Sequence, residues 1–211
     1  MKTRMKRKGI LIVVSGFSGA GKGTLMKQLV HVYDNYALSI SMTTRSPRPG
    51  EVEGREYFFV SREKFEETIA QNGLVEYASY CDNYYGTPKE YVEKQLDKGK
   101  DVILEIEIQG ALKVKERFPT ALLLFVMPPS AGELKKRLVG RGTESVDVID
   151  KRLKRAAEEA EGIEKYDYIV INDQLNECVS RMHALIQAAH DTPFRNEEFI
   201  ENMRKELEAF R

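Results

Sequence analysis

Seven residues, Gly16-Phe17-Ser18-Gly19-Ala20-Gly21-Lys22, constrain this chain more than any other stretch. They stand between a short apolar run, residues 10–14, and a helically spaced set, Leu25, Met26, Leu29, Val30 and Tyr33. The run reads as a buried strand, and the spacing predicts a helix from Lys22 to about Tyr33. A Gly-rich turn between strand and helix lets successive backbone N–H groups converge on an anion at the helix N-terminus. Lys22 then reaches the outer phosphates of a nucleotide. The phosphate-loop pattern asks for Ser or Thr directly after the lysine, but here Gly23 and then Thr24 follow. That departure weakens a metal assignment more than a phosphate assignment. The competing reading is a Gly-rich strand–helix turn that holds no ligand.

Further apolar runs at 102–108, 122–127 and 168–171, with helical patterns between them, have the rhythm of an α/β fold with a parallel sheet covered on both faces. Ser130-Ala131-Gly132-Glu133 and Thr87-Pro88-Lys89-Glu90 fit the capping box, the second with Pro at the first helical position, and predict helix starts. Between 37 and 95 the texture changes to Pro, Gly and clustered tyrosines, which predicts a smaller mixed lobe inserted into the core. Residues 137–155, rich in Arg and Lys with Gly140 and Gly142 around Arg141, predict a mobile basic flap. Phe199, Ile200, Met203, Leu207 and Phe210 mark a final amphipathic helix, whose apolar face is expected to dock on the core or on another copy of the chain.

With 211 residues, 42% hydrophobic and 31% charged, the chain has material for one domain with a real core, which excludes long disorder and a membrane bundle. Lys and Arg number 33 and so do Asp and Glu, so any anion site is local and no nucleic-acid partner is expected. The basic start followed by residues 10–14 has the order of a signal peptide, but five apolar residues fall short of the roughly 7–15 needed. No apolar stretch approaches the roughly 18 residues of a membrane span. Cys81 and Cys178 lie too far apart for a metal-ligand pair or a disulfide framework and suit a reducing cytosol.

Three further constellations bear on chemistry. Arg45 and Arg48 sit on a Pro-stiffened segment, and two guanidinium forks can grip a phosphate monoester that one lysine would hold loosely. An exposed Pro-rich loop with solvated arginines is the bland alternative. Glu105 and Glu107 are expected on one face of strand 102–108 with Ile103, an expensive placement unless a cation, metal or ligand donor meets them. Arg137 and Arg141, four apart, can share a helix face, with Arg152 arriving from the next helix to stabilise negative charge on a moving phosphoryl group. A solvated charged helix is the equal alternative there.

Together these pieces resemble the guanylate kinase family over about residues 9–189. The block Ser41-x-Thr43-Thr44-Arg45-x-Pro47-Arg48-x-Gly50-Glu51-x-x-Gly54-x-x-Tyr57-x-Phe59-Val60-Ser61 carries the resemblance, followed by Tyr84-Tyr85-Gly86-Thr87-Pro88. Ile103-Leu104-Glu105-Ile106-Glu107-Ile108-Gln109-Gly110-Ala111, Pro128-Pro129-Ser130, Arg141-Gly142-Thr143 and Asn172-Asp173 complete it. The resemblance implies transfer of the γ-phosphoryl group of ATP to GMP, and to dGMP, in purine nucleotide metabolism. It implies that Gly16, Ser18, Gly19, Ala20, Gly21, Lys22, Gly23 and Thr24 hold ATP with Asn172 near the adenine, and that Lys22, Arg45, Arg137, Arg141 and Arg152 serve the transfer. It puts the GMP phosphate on Arg45, Arg48, Tyr57 and Tyr85 and the guanine among Ser41, Glu76, Thr87, Glu105 and Glu107. Mg2+ would bridge the nucleotide phosphates and keep several waters, reached only indirectly by Thr24 and Glu105.

The implied organisation is a single P-loop domain over 1–211. Its three-layer core comprises 9–36, 96–136 and 156–190, with a GMP-binding lobe at 37–95, a lid at 137–155 and a helical extension at 192–211. Its partners would be small nucleotides in the cytoplasm, without nucleic acid or membrane. Glu107 stands where the family often has Asp, and Phe17 where Pro is frequent. Two rival readings stay open: a guanylate-kinase-like module that binds a phosphorylated peptide, and a kinase for another monophosphate.

Overall fold

Ile12, Val13 and Val14 are fully buried, which is why the run before the phosphate loop shows no polar alternation: both of its faces are covered. A computed structural model describes residues 7–140 and 146–211. In chain order the elements are β1 Leu11–Gly16, α1 Lys22–Val32, β2 Tyr36–Leu38, β3 Ser41–Thr43, β4 Tyr57–Phe59, α2 Arg62–Ala70 and β5 Leu74–Tyr80. There follow β6 Asn83–Pro88, α3 Lys89–Asp97, β7 Asp101–Glu105, α4 Ile108–Arg117, β8 Leu122–Met127 and α5 Ala131–Gly140. The last are α6 Val146–Ala160, β9 Tyr168–Ile171, α7 Leu175–His190 and α8 Glu197–Glu208.

Five strands form a sheet in the order β2-β7-β1-β8-β9, with every neighbouring pair parallel. Helices α1 and α7 pack together beside β1, β2 and β9, while α3 and α4 contact β7, β1 and β8. Leu104, Leu123, Leu124 and Phe125 complete a core without exposed atoms. β1 lies at the centre, so the turn that follows it opens at the carboxyl end of the sheet, where open α/β sheets bind ligands. A second, mixed sheet runs β4-β3-β6-β5, with β3 parallel to β4 and antiparallel to β6.

The close approach of β1 to β8 depends on Gly16. Its φ is +152°, and a β-carbon there would stand 2.0 Å from the Val126 carbonyl oxygen of β8. Gly16→Ala is expected to force the strands apart at a cost of about 3 kcal/mol, or roughly 6–12 °C in Tm. A thermal melt within 2 °C of wild type would show that the sheet accommodates the side chain.

Two expected elements are corrected. Residues 102–108 are not one strand: β7 stops at Glu105, and Glu107 precedes α4 instead of sharing a strand face with Glu105. The Ile106 N–H still donates to the Val14 carbonyl at 3.2 Å, but Ser15 Oγ donates to the Ile106 carbonyl at 2.7 Å, and the chain then turns away. Thr87 does not cap α3 either. It lies in β6, and Pro88, in extended backbone, occupies the cap position. The Ser130 cap forms as expected, with Glu133 N donating to Ser130 Oγ at 3.1 Å, although the Glu133 carboxylate turns to Arg137 at 2.9 Å. Helix α8 leaves Phe199, Leu207 and Phe210 at 54%, 53% and 86% exposure, so its apolar face is not docked on the core.

Candidate active site

The phosphate loop is built from two left-handed glycines and one lysine. Gly19 and Gly21 have φ of +92° and +85°, and Gly21 caps α1 without a side chain. The Ala20 N–H donates to the Phe17 carbonyl at 3.0 Å, closing the turn. Lys22 Nζ folds back across it and donates to the carbonyls of Gly16 at 2.7 Å and Phe17 at 3.3 Å, so its charge lies over the loop. The first N–H groups of α1 lack partners within the helix by construction. Beside the loop, Leu138 of α5 packs so tightly that a β-carbon at Gly19 would come within 2.8 Å of it. From α6, Arg152 Nη1 donates to Ser18 Oγ at 3.3 Å. Arg137 on α5 is held by Glu133, while Arg141 lies outside the described residues.

A cleft of about 770 Å³ separates the second sheet from the carboxyl end of β7. Ser41, Tyr57, Glu76 and Tyr85 line one wall, and Glu105, Ile106 and Glu107 the other. Because Glu105 pairs with Val14 of β1, this wall adjoins the strand that leads into the phosphate loop. Glu76 owes its place to a register shift in β5: Leu74 pairs with Pro88 and Tyr77 with Gly86, so Val75 and Glu76 both stand opposite Thr87. Such bulges re-aim a side chain. The Thr87 hydroxyl, fully buried, donates to Glu76 Oε1 at 2.7 Å. Burial raises the Glu76 pKa above the ordinary carboxylate value, and the Thr87 hydrogen bond lowers it by less.

Arg45 follows β3 and forms a two-pronged pair with Glu51, Nη1 to Oε2 at 3.0 Å and Nη2 to Oε1 at 2.9 Å, while Nη1 also donates to the Ser46 carbonyl at 2.8 Å. Its guanidinium lies 5.3 Å from the Tyr57 ring centroid, and Tyr85 is a further hydrogen-bond partner. Hydrogen bonding to Glu51 raises the Arg45 pKa, and the same bond holds Glu51 below the usual carboxylate range, helped by the Arg48 N–H at 2.7 Å. Residue-by-residue reading assigned Glu51 no role. An acid six residues beyond one arginine and three beyond another was the available signal.

Arg48 itself is exposed on the same loop. Glu107 accepts from Arg155 Nη2 of α6 at 2.7 Å, a link to the basic helix that spacing did not suggest. Thr24 is exposed in the first turn of α1, and a β-carbon at Gly23 would meet nothing within 4 Å, so space does not explain the missing hydroxyl. Among the described residues no three His, Cys, Asp or Glu side chains gather to hold a metal. Asn172 is buried beneath the loop, its Nδ2 donating to the Ala20 carbonyl at 2.8 Å.

A parallel sheet that opens onto a glycine loop and its lysine, flanked by arginines and an acid-lined cleft, defines a nucleotide-binding α/β protein of the P-loop kinase class. The family model described as guanylate kinase matches residues 8–189, and the chain belongs to the guanylate kinase family. It is 51% identical over 204 residues to a guanylate kinase of Halalkalibacterium halodurans, covering 97% of this chain and 98% of that one. It is 50% identical over 202 residues to a guanylate kinase of Caldanaerobacter subterraneus subsp. tengcongensis, covering 96% and 98%. The crystal structure of guanylate kinase from Anaplasma phagocytophilum superposes with a TM-score of 0.67 at 33% identity, covering 90% of each chain.

Proposed function

We propose that the chain transfers the γ-phosphoryl group of ATP to GMP, giving ADP and GDP, as part of purine nucleotide metabolism. The observation that carries this reading is the Glu76–Thr87 pair in a cleft that adjoins the strand entering the phosphate loop. Guanine offers N1–H and N2–H₂ on one edge with O6 beside them, and an ionised Glu76 can accept both donors. Adenine has an acceptor at N1 and would meet the carboxylate lone pair to lone pair. Because the Thr87 proton is committed to Glu76, the Ser41 hydroxyl on the cleft wall is the group left to serve O6. Arg45, Tyr57 and Tyr85 take the GMP phosphate, with Arg48 joining from the same loop. Glu105 and Glu107 close the opposite wall.

The loop amides and Lys22 take the ATP phosphates, and Arg152, Arg137 and Arg141 add positive charge. Phosphoryl transfer depends on alignment and charge stabilisation, so no general base is assigned. A lone hydroxyl, Thr24, and an exposed Glu105 fit an ion that arrives on the nucleotide better than one the protein holds, and Mg2+ supplies charge neutralisation when bound with ATP. The second sheet and the 137–155 segment are read as lobe and lid around the core, closing to exclude water. The exposed thiol of Cys81 suits a reducing cytoplasm. No helix among the described residues is long and apolar enough to cross a membrane. The exposed face of α8 is read as a contact for a second copy of the chain.

A coupled assay across GMP, dGMP, AMP, CMP, UMP and dTMP tests the reading; AMP turned over faster than GMP would overturn it. A pH dependence also follows. Protonated Glu76 loses an acceptor and repels guanine N1–H, and burial raises its pKa. GMP affinity therefore falls as pH drops through a value above the ordinary glutamate range. Glu76→Gln should weaken GMP about a hundredfold and leave only the pH dependence that belongs to the GMP phosphate, which itself takes up a proton at a pH of about 6. Calorimetry on both proteins from pH 8 to 5 decides it, and wild-type and Glu76→Gln profiles that run parallel across this range count against Glu76.

A further inference from the structure

Arg117, the last residue of α4, reaches from the core into the second sheet. Its Nη1 donates to the Val75 carbonyl of β5 at 3.1 Å, and it lines the same cleft as Glu76. Val75 and Glu76 are the two residues that stand outside the even pairing of β5 with β6. Where a strand carries an extra residue the ladder is broken, and the backbone groups released there need partners from elsewhere. Arg117 supplies one, from the carboxyl end of a helix, where a cation is favoured.

The Val75 carbonyl belongs to the planar peptide that ends at the Glu76 α-carbon, so a bond to this oxygen fixes the plane from which the Glu76 side chain departs. The Val75 side chain is buried in the core. On the far side of Glu76 the strands are pressed together, since a β-carbon at Gly86 would stand 2.8 Å from the Glu76 carbonyl oxygen. The backbone around Glu76 is thus held by a buried side chain before it, by Arg117 at the joining peptide and by β6 after it. Arg117 ties it to α4, the helix that begins next to Glu107 on the opposite wall of the cleft.

We propose that Arg117 is a positioning residue for base recognition: it holds the Val75–Glu76 peptide so that the Glu76 carboxylate faces the purine, and it does not itself touch GMP. The inference rests on Glu76 reading guanine, and a double-mutant cycle separates the two claims. Arg117→Ala should raise the KM for GMP about tenfold, with kcat and ATP affinity within about twofold of wild type. Arg117→Lys should restore most of the loss, because the bond uses one donor and no fork. In a Glu76→Gln background, where one oxygen is left to be aimed in place of two, Arg117→Ala should cost less than about threefold.

Steady-state kinetics on the full chain with both nucleotides varied, beside calorimetry with GMP alone and melting curves, reads each case. A loss that persists in full in the Glu76→Gln background would mean that Arg117 acts apart from Glu76, and would overturn the proposal. A wild-type KM in Arg117→Ala would do the same. A loss that lysine leaves unrepaired would point to a forked contact with the GMP phosphate and overturn it too. So would equal losses of GMP and ATP affinity with a lowered Tm, the mark of a loosened core. Glu76→Gln at wild-type GMP affinity would instead overturn the base-reading role, and this inference with it.

Discussion

Replacing Lys22 with alanine is expected to lower kcat by about a thousandfold while moving GMP affinity less than twofold. The asymmetry comes from geometry. Lys22 Nζ sits on the carbonyls of Gly16 and Phe17, so its charge spans the turn that would hold ATP, whereas the cleft walls come from other elements. A cation aimed at charge that grows in the transition state is worth about 10²–10³ in rate when removed. The loop would also lose the two hydrogen bonds that fold the side chain across it. Steady-state kinetics with both nucleotides varied, beside calorimetry with GMP alone, measures both quantities. Equal losses in turnover and GMP affinity would take Lys22 out of the donor site.

Arg45→Ala should do the reverse and weaken GMP binding by about 10²–10³-fold, with ATP affinity close to wild type. Two of the guanidinium's nitrogens are locked by Glu51, and Nη1 is also held by Ser46, which fixes the plane of the group beside Tyr57 and Tyr85. Three of its five N–H bonds are engaged in this way, leaving Nε–H and one Nη2–H for a phosphate and Tyr85. Lysine at this position keeps the charge but not the fork, so Arg45→Lys should recover only a small part of the loss. Near-normal GMP affinity in Arg45→Ala would remove the residue from the acceptor site.

The donor half of the site was the more legible in the sequence. Residues 10–14, the glycine loop and the Leu25–Leu29 spacing each demand the same strand–turn–helix, so local pattern and tertiary structure agree. The acceptor half was readable mainly through the Ser41–Ser61 block, because its geometry arises between strands that are distant in sequence. Glu105-Ile106-Glu107 alternates as a strand would, and nothing in those three residues announces that Ser15 will take the Ile106 carbonyl and end the pairing. Thr87-Pro88 has the form of a helix start, yet the hydroxyl is claimed by a carboxylate eleven residues earlier. The extra residue in β5 shows in the sequence only as Leu74-Val75, two apolar residues in a row where a regular strand would alternate, which is too short a break to name a bulge. In each case a partner remote in sequence outweighed the local preference.

If Glu76 reads the base as proposed, the doubled stretch of β5 opposite Thr87 sets where the reader aims and the side chain sets what it reads. A point substitution at 76 changes the chemistry of the reader and leaves its aim intact. Deleting Val75 would restore even pairing and set Glu76 directly opposite Thr87, on the face where the two already meet, at the cost of a buried side chain. On the role proposed for Glu76, nucleobase preference would hang on the contact between two neighbouring strands, and redesign toward another base would have to keep the partner at 87 in view while it changes the side chain at 76.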